Sequence, residues 1–292
     1  MKFPSLTSLM LGLFSVAPAN AAKSFSASNL YYAAGLTDGQ QTTLLNGLQS
    51  AGVKVLRVWL DGQSGATKGT PINDFKSLQG TSSDDWDDTV LSRLDTFMVK
   101  AHDYGIILLI SIHSYNALEN NSDFYGKWYG TGDFYTSSKA ISQFEDRIAH
   151  VLAHKHPKTG KTWAQSSDYI FAFEAQNEAM HPQPFVDKAK KAVKKLIMQE
   201  WGVCYTDAEK DNCNGGSPVP ANTRDSNIKK WAANIDAAGI PWFYWQILPN
   251  ADPHQGWDYE VGVSDANWDA LKAAALASGK AESAFDFSPY LL

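Results

Sequence analysis

Short apolar runs alternate with longer amphipathic stretches along this chain. The runs at Leu30 to Ala33, Val53 to Trp59, Ile106 to His113, Tyr169 to Glu174, Lys195 to Trp201 and Pro241 to Leu248 are rich in Val, Ile, Leu and aromatic residues, and each predicts a buried strand. Between them the apolar period lengthens to that of a helix, at Asp38 to Ala51, Asp85 to Tyr104, Ser137 to His154, Phe185 to Lys194, Arg224 to Ala238 and Asn267 to Ala277. Gly52, Gly105 and Gly239 follow three of these helices, where a left-handed residue can end a helix without a Cβ clash. Alternating β and α units imply a parallel sheet, either closed as a barrel or open and doubly wound.

The segment after the first predicted strand, Ala33-Ala34-Gly35-Leu36, lacks the glycine spacing of a dinucleotide fingerprint, which weakens the doubly wound alternative. The expectation is therefore an α/β chain on the TIM (β/α)8 plan, and 292 residues suffice for a barrel of roughly 250. About six βα units are visible, so the predicted barrel is incomplete. Segments without predicted structure, Asp61 to Asp84 and Tyr115 to Thr136, make up much of the length.

Composition changes this picture in three ways. A net charge of -6 argues against nucleic-acid or anionic-membrane partners, which require a basic face. Ten Trp and 12 Tyr leave rings beyond those needed for a core. The N-terminus reads as a signal peptide over residues 1–21: Met1-Lys2, an apolar run from Leu9 to Phe14, then Ala19-Asn20-Ala21 before the cut. That run is shorter than the roughly 20 residues that span a bilayer. The expected product is a secreted, extracellular single domain over residues 22–292, with a monomer as the default.

In that oxidising compartment Cys204 and Cys213 are expected to pair as a disulfide, and no His stands near them at zinc spacing, so no metal is expected. Asn120-Asn121-Ser122 is a glycosylation sequon at Asn120.

Candidate chemistry gathers just past the apolar runs: Arg57 and Trp59, His113 and Tyr115, Asn177 and Glu178, Glu200 and Trp201, Trp245 and Gln246. In a barrel the C-terminal strand ends build the active site. Glycoside hydrolysis needs two carboxyl groups, one to protonate the leaving oxygen and one to attack carbon or activate water, and Glu178 and Glu200 supply such a pair.

The segment Ala172 to Glu178, ending Asn177-Glu178, resembles the fourth strand of glycoside hydrolase family 5, where this Glu is the acid/base. Lys195 to Gly202, with Glu200-Trp201-Gly202, resembles the seventh strand, whose Glu is the nucleophile. Pro241 to Gln246 resembles the eighth, where Trp245 would floor the subsite of the reacting sugar. The resemblance runs from about Leu30 to the C-terminus and, from Phe134 through Glu178, is strongest to fungal β-mannanases.

It implies that Arg57 keeps the nucleophile ionised, that His113 binds substrate and that Asn177 grips the sugar 2-hydroxyl. It also implies a retaining mechanism on a β-1,4-linked polysaccharide, mannan first and glucan second, without a cofactor. Trp59 and Tyr115 are further substrate-binding candidates. On charge alone, Arg57 should lower the Glu200 pKa, while ionised Glu200 and apolar walls should raise that of Glu178.

Simpler roles compete at several positions. Glu174, His113 and Arg57 could be satisfied structural partners, and Trp59, Trp128, Trp242, Trp245 and Trp257 could be core or surface fillers. His102, His150, His154 and His156 default to the surface.

One feature departs from the family. Only 22 residues separate Glu178 from Glu200, room for one helix where the family has two complete βα units. The sixth-strand His and Tyr of the family have no counterpart here. The alternative function is therefore a catalytically impaired homologue that binds polysaccharide, and an open sheet with two exposed edges is expected to be less stable.

Overall fold

The computed structural model describes residues 22–179, 195–208, 213–256 and 258–292. The predicted signal peptide (1–21), the predicted helix Phe185 to Lys194 and Trp257 lie outside them.

In chain order the elements are β1 (Ser26–Asn29), α1 (Asp38–Ser50), β2 (Val55–Trp59), β3 (Gln63–Thr67), β4 (Thr70–Phe75), α2 (Thr89–Asp103), β5 (Ile107–Ser111), α3 (Tyr115–Glu119) and α4 (Phe124–Asp133). There follow α5 (Ser138–Ala153), β6 (Ile170–Glu174), β7 (Met198–Trp201), α6 (Ala221–Ala237), β8 (Trp242–Tyr244), β9 (Ile247–Leu248), β10 (Val261–Gly262) and α7 (Trp268–Ser278).

Six strands form one parallel sheet in the order β6-β5-β2-β1-β8-β7. The C-terminal strand β8 lies beside the N-terminal strand β1, with Ala27 opposite Phe243, and that return is what closes a TIM barrel. The sheet is a half-barrel on this plan, with β6 and β7 as its edges. Among the described residues nothing pairs with their outer sides. Glu178 and Glu200 therefore keep the places of barrel strands four and seven on either side of the opening. Their strands have not become neighbours.

Strand periodicity sorts the side chains into two layers. Leu56, Val58, Leu108 and Ile110 face outward into the core shared with α1 and α2. Both helices place apolar residues three or four apart on that face: Leu44, Leu45 and Leu48 on α1, and Leu91, Leu94 and Met98 on α2. The alternate residues Ala27, Val55, Ile107, Leu109 and Phe243 face inward. Phe25 and Phe287 close this inner layer near the strand N-termini, their rings edge to face at 5.5 Å. Polar residues occupy the opposite, C-terminal ends of the strands.

Helix starts follow capping chemistry. The Thr37 side chain accepts the Gln40 amide while Gln40 reaches back to the Thr37 amide, a complete capping box at the head of α1. Gly52, Gly105 and Gly239 take φ of 69°, 73° and 70° just beyond α1, α2 and α6, as the sequence predicted.

Three expectations need correction. The N-terminal strand is Ser26–Asn29, not Leu30 to Ala33: its four buried residues pair with β2 and β8, while Leu30, Tyr32 and Ala33 lie just beyond it in the outer core. The run Pro241 to Leu248 is two strands, β8 and β9, interrupted at Trp245 and Gln246. His156 is buried rather than on the surface, stacked on Tyr169 at 5.2 Å with its Nδ1 accepting the Lys158 amide. In addition, the segments read as loops contain the β3–β4 hairpin and helices α3 and α4.

Candidate active site

Arg57 is the hub of the strand ends. It points inward from β2, almost wholly buried, and its guanidinium has four acceptors. Nη1 donates to Glu200 Oε1 at 2.5 Å and to Asn29 Oδ1 at 3.0 Å. Nη2 donates to Glu174 Oε2 at 2.7 Å and to Asn177 Oδ1 at 2.6 Å, and Nε donates to Glu174 Oε2 at 3.0 Å. A planar fork of fixed donors suits this task, which a lysine could not perform. The contacts tie both sides of the open barrel, β6 and β7, to β2. Glu174 is thus the buried structural partner suggested as its simpler role.

Glu200, the penultimate residue of β7, remains partly open to solvent. Its pKa is raised from the ordinary value: burial pushes it up, Arg57 pulls it down, and the nearby charges of Glu178 and Glu174 push it up further. Arg57 acts in the expected direction, but burial outweighs it and the net shift is upward. The cause is legible in the contacts, since one guanidinium charge serves two carboxylates and cannot offset burial as well. Glu178 is exposed and takes a left-handed φ of 50°, which is uncommon for a residue with a side chain. Its position is set by the adjoining segment, where the Asn177 amide donates to the His113 carbonyl at 2.8 Å and the Tyr115 amide donates to the Asn177 carbonyl at 3.0 Å.

A cleft of about 640 Å³ opens at the strand ends, bordered by Tyr31, Trp59, Asp61, Asn116, Trp245 and Glu260 among others, and neither Glu178 nor Glu200 lines it. Tyr31 stacks on Trp59 at 5.1 Å and lies nearly parallel to Trp245 at 6.1 Å, so three rings from three strand ends form one aromatic wall. Stacked rings of this kind present flat apolar area without losing much side-chain entropy. Lys68, at the tip of the β3–β4 hairpin, borders the same cleft and pairs with Glu260 at 3.0 Å.

His113 packs among Tyr125, Phe134 and Phe144. Its ring is fully buried, Nε2 lies 2.8 Å from Asp123 Oδ2, and Gln176 Nε2 donates to Nδ1 at 2.9 Å. Tyr135 donates to Gln176 Oε1 at 2.6 Å, which sets the amide orientation and leaves the His113 proton on Nε2, directed at Asp123. Asp123 is held below the usual carboxylate range: burial pushes it up, but the hydrogen bonds from His113 and the Gly126 amide outweigh that.

The structure brings together Arg57, Trp59, Asn177, Glu178, Glu200 and Trp245 at one end of the sheet. It does not bring Tyr115 into the cleft, for that ring packs against Leu118, Phe124 and their neighbours. Asn120 is exposed at the cleft border. Cys204 and Cys213 form the expected disulfide. Sequence reasoning missed Tyr31 and Asn29. Both were legible in principle as strand-end residues, but the displaced β1 assignment concealed them.

No protein-family model matches the chain. Its sequence is 30% identical over 189 residues to a probable mannan endo-1,4-β-mannosidase A of Aspergillus niger, covering 59% of this chain and 46% of that protein. It is 32% identical over 169 residues to mannan endo-1,4-β-mannosidase F of Aspergillus fumigatus, covering 54% of this chain and 35% of that protein. The chain thus spans less than half the length of either relative. In fold it is similar to a glycoside hydrolase family 5 mannosidase from Rhizomucor miehei, with a TM-score of 0.59 at 14% identity over 89% of this chain and 95% of that one.

Proposed function

We propose that this chain is a secreted, retaining glycoside hydrolase that cleaves β-1,4-linked mannan, with glucan as the second substrate. The observation that carries the reading is the Arg57 network, which holds Glu200 at 2.5 Å and Asn177 at 2.6 Å and so fixes two strand ends around one reacting position. Glu178 protonates the departing glycosidic oxygen while the Glu200 carboxylate attacks the anomeric carbon. Water, deprotonated by Glu178, then releases the sugar from Glu200. Asn177, with Oδ1 engaged by Arg57, offers Nδ2 to the sugar 2-hydroxyl. Trp245, Tyr31 and Trp59 provide the platform for the ring.

His113 acts indirectly in this scheme, holding Gln176 and hence the turn that carries Glu178. Mannan is preferred over other β-glycans because the two fungal relatives carry that name. The mechanism calls on no cofactor, nucleic acid or membrane.

The half-barrel favours a second reading, a polysaccharide-binding homologue with little turnover, because both glutamates stand beside the opening between β6 and β7. One experiment separates the two. Reducing-sugar release from β-1,4-mannan is measured for the full chain and for Glu178→Gln, together with retardation of each in a mannan-containing gel. The proposal expects release by the parent, at least a hundredfold loss in the variant, in line with typical general-acid contributions, and equal retardation. Retardation without release by the parent selects the binding reading, and unchanged turnover in the variant overturns Glu178 as acid/base.

A further inference from the structure

The loop that follows β9 holds a second concentration of ionisable groups. Asp252, His254 and Asp258 each offer one ligand atom, and those atoms all lie within 4.8 Å of one another. Asp252 and Asp258 are buried, as is Glu260 two residues further on. Lys68 pairs with Glu260, and His254 faces both aspartates. Two carboxylates removed from water with one imidazole between them carry an excess of negative charge that folding alone does not stabilise.

The detailed contacts sharpen the point. Asp252 Oδ1 accepts the His254 amide at 3.2 Å, whereas Oδ2, on a side chain with no exposed surface, receives no hydrogen bond. That oxygen faces the interior of the cluster, 3.4 Å from His254 Nδ1, and His254 Nδ1 lies 3.1 Å from Asp258 Oδ1.

We propose that Asp252, His254 and Asp258 form a binding site for one first-row divalent cation, Zn²⁺ or Mn²⁺. Ligand atoms about 2.1 Å from such an ion lie roughly 3.0 to 3.4 Å from one another in octahedral or tetrahedral geometry. The spacings around Nδ1 match that range before any rearrangement. One nitrogen and two carboxylate oxygens suit these ions better than Ca²⁺ or Mg²⁺, which prefer all-oxygen sites.

The surroundings are those of a braced ligand set. His254 is stacked on Tyr205 at 3.5 Å and 8°, which fixes the imidazole plane. The Tyr205 amide donates to the Asp258 carbonyl, and the Asp265 carboxylate accepts the Asp252 amide. His254 is about a third exposed, providing a route for the ion and room for water to complete its shell. The sequence analysis weighed metal binding only at the cysteines and passed over this cluster.

The test uses the full-length protein stripped with chelator and returned to chelator-free buffer. Zn²⁺, Mn²⁺ and Ca²⁺ are titrated separately by calorimetry and by thermal melting, with Mn²⁺ also followed by its spin-resonance signal. The proposal expects Zn²⁺ or Mn²⁺ to bind at one ion per chain and to raise Tm by about 5 to 10 °C at a hundredfold excess over Kd. Asp252→Asn and His254→Gln should each lose at least a tenfold factor in affinity. No saturable uptake of either ion by the parent would mean a proton alone bridges the aspartates, and would overturn the site. Uptake unchanged in the folded variants, or equal preference for Ca²⁺, would overturn it as well.

Discussion

Arg57 carries one positive charge and touches two carboxylates, and that arithmetic governs Glu200. A glutamate held above its ordinary value binds its proton more tightly in the folded than in the unfolded chain. Its contribution to stability is therefore fully present below the unfolded value of about 4.3 and is lost as pH rises through the folded one. Melting temperatures of the parent and Glu200→Gln should diverge accordingly, the parent losing ground as pH increases from about 4. If Glu200 is the nucleophile, the acid limb of kcat/KM on mannan should lie above about 4.3. A limb well below 4, or no pH-dependent divergence in melting, would contradict the shift. At this scale the sequence did point to the cluster that forms at the strand ends, because Arg57, Asn177, Glu178, Glu200 and Trp245 lie in or just past apolar runs whose strand character was plain. Glu174 as the competitor for Arg57 was not legible, since which of two acids faces a buried guanidinium depends on the register of β6 against β5.

The elements divide by how regular their patterns are. Helices α1, α2 and α5 and strands β2, β5 and β6 were readable because they bury one continuous face or both. The β3–β4 hairpin was not, because Gln63–Thr67 and Thr70–Phe75 carry few apolar residues, though the hairpin places Lys68 at the cleft. Strand β1 was displaced by four residues because Ser26, Ala27, Ser28 and Asn29 have no hydrophobic alternation and owe their burial entirely to their neighbours. The element-scale prediction concerns the segment after β7, where Cys204 and Cys213 close a loop with a sequence separation of 9. Chain-entropy reasoning assigns such a loop about 2.5 kcal/mol. Replacing both cysteines by serine should lower unfolding stability by that order in urea melts, and an unchanged midpoint would show that the loop is held by its other contacts, such as the Tyr205 amide on Asp258.

Across the whole molecule the short spacing between the two glutamates foretold the open sheet. The sequence left two arrangements, a smaller barrel with adjacent glutamate-bearing strands or retained places beside an opening, and the lack of pairing between β6 and β7 among the described residues selects the second. That geometry lay beyond sequence reasoning, because it rests on the Arg57 network holding β6 and β7 to β2. Inserting two βα units between Glu178 and Glu200 should cover the edges of β6 and β7, with which nothing pairs among the described residues, and better preorganise the site. A displacement of about 1 Å can cost roughly a hundredfold in rate. The expanded chain should accordingly show a higher melting temperature and a higher kcat on mannan, and equality in both would mean that the half-barrel is self-sufficient.

The central claim, that Glu200 attacks the sugar within this Arg57-centred site, is tested most directly by covalent trapping. A 2-deoxy-2-fluoro-β-mannosyl substrate with a good leaving group slows release of the glycosyl-enzyme more than its formation, and peptide mass mapping then locates the label. The account predicts one adduct per chain, on the peptide containing Glu200, absent from Glu200→Gln. An adduct on Glu174, or no adduct from a chain that releases sugar from mannan, would contradict it.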